Sequence, residues 1–201
     1  KQNILISETD EIKPLNPYGQ SKVQIEKYLL AKNNKNIKYI ILRYFNVAGA
    51  DPKMRSGLIS NKSSHLIKIA SEAAVGKRKQ VIIFGNDYNT PDGTAIRDYI
   101  HVSDLADIHI KILDYLNKNN KSIILNCGYG KGYSVKDIVN IFKKIKKNVI
   151  IKYQRRRSGD IAQVYADTKK FKKYFLWKPK FNNLKFILKT ALEWERKLSK
   201  N

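Results

Sequence analysis

The stretch NPYGQSKVQIEKYLLAKNNKNIKYIILRYFN, residues 16–46, carries the reading of the fold. Asn16-Pro17 is a helix start: the Asn side chain can accept from first-turn amides, and Pro suits a position whose N–H would be unpaired anyway. Val23, Ile25, Tyr28, Leu29 and Ala31 then recur at helical spacing, and Asn33-Asn34 closes the helix. Ile37 to Phe45 follows as a near-continuous apolar run rich in β-branched and aromatic residues. That pattern predicts a strand buried on both faces, as in a parallel sheet. A helix feeding such a strand implies crossover connections and an α/β chain.

The alternation continues downstream. A Gly/Asp/Pro/Ser loop runs from Gly49 to about Ser64, a helix from His65 to Val75, and a strand from Val81 to Phe84. Gly85 to Gly93 carries turn residues. A further helix starts at Ser103 or Asp104 and reaches about Asn117, and Ile123 to Asn126 reads as a strand. Ser134 to Lys147 reads as a Ser-capped amphipathic helix, Val149 to Tyr153 as a strand, and about Asn182 to Leu198 as a closing helix.

Composition narrows the function classes. The 201 residues fit one domain or one and a half small ones, and 42% hydrophobic content supplies a core. The longest apolar runs (Tyr39 to Leu42, Val81 to Phe84) are far too short to span a membrane, and no N-terminal stretch has the charged, apolar and small-residue order of a signal peptide, so the expectation is a soluble, cytoplasmic protein with no membrane partner. A single cysteine, Cys127, excludes an internal disulfide or a multi-cysteine metal site and reads as a small core residue. The net charge of +23 invites nucleic acid as a partner. Yet only eight of forty basic residues are Arg, and the lysines lie scattered among Asn and Ile, as in Lys32 to Lys38 and Lys143 to Asn148. With no zinc-finger spacing or basic–aromatic stripe, the expectation is no nucleic acid. His101 and His109 read as structural, and no metal is expected.

Tyr18-x-x-x-Lys22 is the sharpest short signal. Residues four apart share one helix face, so phenol and ammonium can serve one spot. A cation beside a phenol favours the phenolate, and a Tyr so tuned can take a proton from a hydroxyl and return it. By itself the spacing is common in proteins; its place after a helix-starting Asn-Pro and before a buried strand makes it informative.

Longer blocks spell a family. NPYGQSK (16–22), LRYFNVAGADP (42–52), IFGNDYNTPDGTAIRDYIHVSDLADIHI (83–110), NCGYGKGYS (126–134), RRRSGD (155–160), ADTKK (166–170) and WKPK (177–180) occur in this order. Together they resemble the UDP-glucose 4-epimerases of the extended short-chain dehydrogenase/reductase superfamily, over nearly the whole chain. RYFN and RDYIHV alone would fit sister nucleotide-sugar enzymes, and DYNTPDGT between them favours epimerase. The resemblance implies a bound NAD that takes a hydride from C4 of the sugar and returns it to the other face of the 4-keto sugar. It assigns Tyr18 the 4-hydroxyl proton, Lys22 the nicotinamide ribose, and Tyr44 a backbone contact to the cofactor. For the UDP-sugar it implies Asn46 at the diphosphate, His65 and Leu66 lining the diphosphate and sugar, and Phe84 packing on uracil. Arg97 and Arg157 would clamp the pyrophosphate, and Asp160 would bond the ribose. Arg155 and Arg156 read as a solvated charge run.

The family opens with a G-x-x-G-x-x-G strand–loop–helix that cradles the cofactor pyrophosphate. No such run occurs here, nor does the Ser/Thr that assists the Tyr about two dozen residues upstream. The expectation is the C-terminal portion of an epimerase, inactive alone for want of the N-terminal NAD-binding segment. The fold expected is the C-terminal part of a Rossmann-type parallel sheet plus a smaller α/β UDP-sugar domain. Residues 1–50 would end the NAD domain, and 51–201 would form mainly the substrate domain, with some segments returning to the Rossmann sheet. The complete protein would be a homodimer, pairing in part through the helix that starts at Tyr18. Val164, four after Asp160, stands where some relatives carry a bulky Tyr, which would leave room for an N-acetyl sugar. The shorter loop over Met54 to Asn61 puts contacts there in doubt. Alternatives are a non-catalytic remnant, a UDP-sugar-binding module, or a nucleotide-sugar dehydratase or decarboxylase.

Overall fold

The computed structural model describes residues 5–31, 37–60, 62–145 and 149–200. Asn16 caps the first helix, α1 (Pro17–Ala31), its Oδ1 accepting from the Gly19 amide at 2.8 Å. The helix end expected at Asn33-Asn34 lies outside the described residues, as does the lysine run over 32–36. The expected strand is shorter, β2 (Ile40–Tyr44), and runs parallel to β6 (Ile123–Cys127). It is not buried on both faces: its residues are half-buried, and Tyr44 is 53% exposed. Among the described residues only β6 pairs with it, and Ile40 and Leu42 pack into a core. Arg43, next after Leu42, is instead held by the Glu26 carboxylate of α1 and by the Glu8 carbonyl at 2.9 Å.

The chain then changes partner. The Phe45 amide still donates to the Cys127 carbonyl at 3.2 Å, but the next residue opens β3 (Asn46–Ala48), which pairs with β5 (Ile96–His101). The sequence places Asn46 at the end of the RYFN strand; in the structure it begins the next one, because the backbone leaves β6 one residue earlier. Strand β5, which periodicity does not disclose, is the hub of the fold. Its first half pairs with β7 (Gly132–Ser134) and β9 (Gln163–Ala166), and its second half with β3. β1 (Leu5–Ile6) extends β9, while β4 (Gln80–Phe84) and β8 (Ile150–Gln154) form a separate parallel pair.

Two apolar cores result. One packs α2 (Leu66–Val75), α4 (Val135–Ile145) and α6 (Leu184–Leu198) on β4, around Ile83, Ile138, Phe142, Ile187 and Leu188. The other lies between α3 (Val102–Asn119), β6 and α5 (Lys169–Tyr174), around Ile100, Ile108, Leu125 and Phe171. Tyr129 packs against both. The α4 start matches the expected Ser cap: Ser134 Oγ accepts from the Asp137 amide at 2.9 Å, and Asp137 returns the bond at 3.0 Å. Its expected end at Lys147 lies outside the described residues. Helix α3 starts before Ser103 because His101, not Ser103, is its cap.

His101 is fully buried, and its tautomer follows from its partners. Nδ1 accepts from the Ser103 amide at 3.1 Å, so the proton sits on Nε2 and faces Thr190 Oγ1 at 3.2 Å. Thr190 in turn accepts from the Ala50 amide and donates to the Ile187 carbonyl, joining β3's exit to α6. Burial lowers the His101 pKa, against the raising pull of Asp104 and Asp51. The unfolded chain therefore takes up this proton first, and the stability His101 contributes is full above its ordinary pKa of about 6.5. It is lost as pH falls from there through the lower folded-state value. Urea midpoints at pH 7.5 and 5.5 should show this loss in the wild type and a smaller one in His101→Asn; equal losses would refute it.

Candidate functional site

The switch of β-partner at Asn46 borders a crevice, the kind of place where open α/β sheets bind ligands. A cavity of about 1370 Å³ opens there, roomier than the roughly 300–1,000 Å³ of ordinary small-molecule pockets. Asn46 reaches it from β3, His65 and Leu66 from the start of α2, and Phe84 from the end of β4. Arg97 enters from β5, and Arg157 and Asp160 from the loop after β8. The structure thus brings together all seven residues that the resemblance directs at the UDP-sugar.

Arg97 is aimed by its own backbone: Nη1 donates to the Ile96 carbonyl at 2.8 Å and more weakly to Ala162 at 3.4 Å. Its Nη2 stands 3.9 Å from Asp160 Oδ1. The Arg157 guanidinium lies over Phe84, 3.9 Å from the ring centroid. Two other cations of the cavity, Arg55 and Lys68, are already matched. Asp51 takes Arg55 at 2.5 and 3.0 Å, a contact that holds its carboxyl well below the usual range, and Lys68 is engaged by Glu195 and Glu72. Arg97 and Arg157 are therefore freer than these two to meet an anion. In the short loop, Asp51 and Trp194 supply local order: the Trp194 indole donates to the Leu58 carbonyl at 3.3 Å, and Asn61 lies outside the described residues.

Tyr18, Lys22 and Tyr44 do not line this cavity. Lys22 Nζ lies 5.1 Å from the Tyr18 ring centroid, so the pair does share one helix face, and Tyr18 is 72% exposed. His65 occupies the α2 N-cap position without a side-chain cap bond, which frees its ring for the cavity. Val164 stands in register with Arg97 on the neighbouring strand. His109 bonds the Leu105 carbonyl in its own helix, and no group of side chains able to hold a metal occurs among the described residues. Cys127 is buried, and burial pushes its thiol up to about 12, out of reach of nucleophilic chemistry.

Arg156 is exposed, as a solvated charge run implies, but it also has partners: its Nε donates to Asp87 Oδ1 at 2.8 Å, and its guanidinium covers the Tyr88 ring at 4.3 Å. Three consecutive arginines hide this in the sequence, since only the fold separates their directions.

A buried carboxylate pair also escapes sequence reasoning. Asp98 accepts from the amides of Tyr129, Gly130 and Ala166 at 3.1, 2.8 and 3.3 Å. A Cβ on Gly128 would stand 2.5 Å from Asp98 Oδ2, so only glycine admits this approach. Burial nonetheless raises the Asp98 pKa, outweighing those amides. Asp104 takes the Tyr129 hydroxyl at 2.5 Å and the Lys180 and Phe181 amides at 3.0 Å each. Burial first, then that bond, pushes the Tyr129 phenol far above its ordinary pKa. Tyr129 is a structural donor, and the NCGYG glycines are the one sequence signal for it.

Residues 2–128 match the model of the NAD dependent epimerase/dehydratase family. The chain is 43% identical over 202 residues to the UDP-glucose 4-epimerase of Azospirillum brasilense, covering 100% of this chain and 58% of that protein. It superposes with a TM-score of 0.92 on a UDP-glucose-4-epimerase from Stenotrophomonas maltophila with bound NAD and formylated UDP-arabinopyranose, at 33% identity over 100% of this chain and 60% of that one. The UDP-Glc/GlcNAc 4-epimerase of Campylobacter jejuni is 42% identical, with a TM-score of 0.78, over 98% of this chain and 60% of that one. The chain thus spans about three-fifths of the length of these relatives. No described helix is long and apolar enough to cross a membrane. By its motifs, its strand topology and these matches, the chain belongs to the NAD dependent epimerase/dehydratase family.

Proposed function

We propose that this chain supplies the UDP-sugar site and the acid/base tyrosine of an NAD-dependent enzyme that interconverts UDP-glucose and UDP-galactose at C4. The convergence of seven residues from five segments on one cavity carries the reading. Arg97 and Arg157 hold the diphosphate, for which a planar guanidinium fork is well matched. Phe84 offers an aromatic face to the base once Arg157 swings from it to the phosphates, and Asp160 accepts from a ribose hydroxyl. The phenol and ammonium on the exposed face of α1 fit the nicotinamide-ribose end of NAD, with Lys22 as donor to the ribose. A bound NAD would supply the hydride acceptor and donor for C4 of the sugar. Tyr18 takes the 4-hydroxyl proton and returns it.

Two cores, one around β2–β6 and one around β4–β8, support a division into the end of a cofactor domain and a substrate domain. Val164 beside Arg97, together with a relative named for both glucose and N-acetylglucosamine substrates, supports acceptance of the N-acetyl sugar.

Calorimetry on the full chain tests the reading. UDP should bind, and Arg97→Ala or Arg157→Ala should each weaken it by roughly 10- to 150-fold, the worth of about 1.5–3 kcal/mol for a charged hydrogen bond. Uridine, lacking phosphates, should be much less affected. A wild-type chain blind to UDP, or equal losses for UDP and uridine, would overturn it.

A further inference from the structure

The loop that carries Arg157 and Asp160 is tied down at both ends to the Gly85–Gly93 loop. At one end Arg156 Nε donates to Asp87 Oδ1 at 2.8 Å, and its Nη2 donates to the Asp87 carbonyl. At the other end Gln163 Nε2 donates to the Asn89 carbonyl at 3.4 Å. Between these ties lie Arg157, over Phe84, and Asp160, facing Arg97.

The Arg156 tie is shaped, not merely charged. The guanidinium packs on the Tyr88 ring, and that ring packs on Gly85, where φ is +81° and a Cβ would come within 2.4 Å of Tyr88 Cε2 and 2.8 Å of Arg156 Cγ. The Gly85 amide donates to the Gln154 carbonyl at 2.8 Å, which closes the base of both loops. Tyr88 is 5% exposed, and its hydroxyl is buried without a partner among the described residues, so the side chain contributes here through its ring. The Asp87 and Arg156 side chains are 68% and 44% exposed, and pairs so exposed add little to global stability. Their effect is therefore local, on where one loop stands.

We infer that Arg156, latched to Asp87 and Tyr88, is a positioning residue that presets Arg157 and Asp160 for the nucleoside diphosphate. The inference rests on the proposed UDP-sugar reading of the cavity, and it assigns Arg156 no contact with the ligand. Preset groups bind without an ordering cost, so loss of the latch weakens the ligand while the fold persists.

The sign of a charge change separates this from simple attraction. Arg156→Ala should weaken UDP about tenfold in calorimetry on the full chain, with its urea midpoint near wild type. Asp87→Ala removes a negative charge near an anion, so attraction alone predicts equal or tighter binding; the latch predicts weakening similar to Arg156→Ala. The double variant should be no weaker than either single one, because both remove the same tie. Arg156→Lys keeps the charge but loses the fork and the stack, and should restore little. Hydrogen exchange should quicken over 157–162 in Arg156→Ala without added ligand. Wild type that ignores UDP overturns the functional reading itself. Wild type that binds, with Asp87→Ala binding as well or better, or with exchange unchanged in Arg156→Ala, overturns the latch alone.

Discussion

Replacing Glu195 by alanine should destabilise the protein by about 3–5 kcal/mol, the cost of breaking a buried ion pair from one side. Glu195 is 1% exposed at the contact of α6 with α2. One carboxylate oxygen is held by Lys68, itself 8% exposed, and the other takes Lys77 at 2.8 Å. Lys68 also faces Glu72 at 3.5 Å, and Glu72 engages Arg78. Removing Glu195 leaves Lys68 buried with Glu72, 3.5 Å away and already shared with Arg78, and opens a cavity against α2. Burial works against the Glu195 carboxylate, but the hydrogen bonds from Lys68 and Lys77 outweigh it and hold its pKa below the usual range. Its contribution is thus present above the ordinary carboxylate pKa and fades as pH falls through the lower folded value. Urea denaturation at pH 7 measures the loss. Apolar replacement of both partners, Lys68→Met with Glu195→Leu, should recover much of it, because no buried charge is then left unpaired: Glu72 keeps Arg78, and the Lys77 side chain is 39% exposed. A loss under about 1 kcal/mol for Glu195→Ala would show that water reaches the network and that its charges are screened.

On the proposed reading, Tyr18→Phe in the whole enzyme to which this chain contributes should lower turnover of UDP-galactose by about 10²–10⁴-fold, the range for loss of a positioned proton-transfer group. UDP affinity should stay within about twofold, because Tyr18 lies outside the cavity that gathers the UDP-directed residues. The substitution removes one oxygen from a side chain 72% exposed, so the fold has no reason to change. The ratio of the two effects is the informative quantity. Parallel losses in turnover and UDP binding would place Tyr18 in the nucleotide site instead. Turnover within a few-fold of wild type would remove it from the chemistry.

Local structure was legible where a residue acts on its near neighbours. Asn16 before Pro17, Ser134 before α4 and the apolar spacing of α6 each predicted an element that the structure contains, because capping and amphipathic periodicity involve residues only three or four apart. The short strand β5 was hidden. It pairs with three different strands along six residues, so no face of it repeats long enough to register as a period. β2 stands half-buried with β6 as its one partner among the described residues, and its sequence does not say so, because an apolar run reports what a strand can bury, not how many neighbours it has.

The same division holds for the site. The motifs were sufficient to name the seven cavity residues, to place Tyr18 and Lys22 on one helix face, and to assign the family. Residue types and spacings are written along the chain and need no folding to be read. Tertiary structure alone decided that Asn46 opens a strand rather than ending one, and that Arg156 and Arg157, adjacent in sequence, point to different partners. Only the fold could show that Glu195 meets Lys68 across 127 positions. Those outcomes depend on which distant segments are brought together, and the energy of a cation on a ring or of a buried ion pair exists only after they have met.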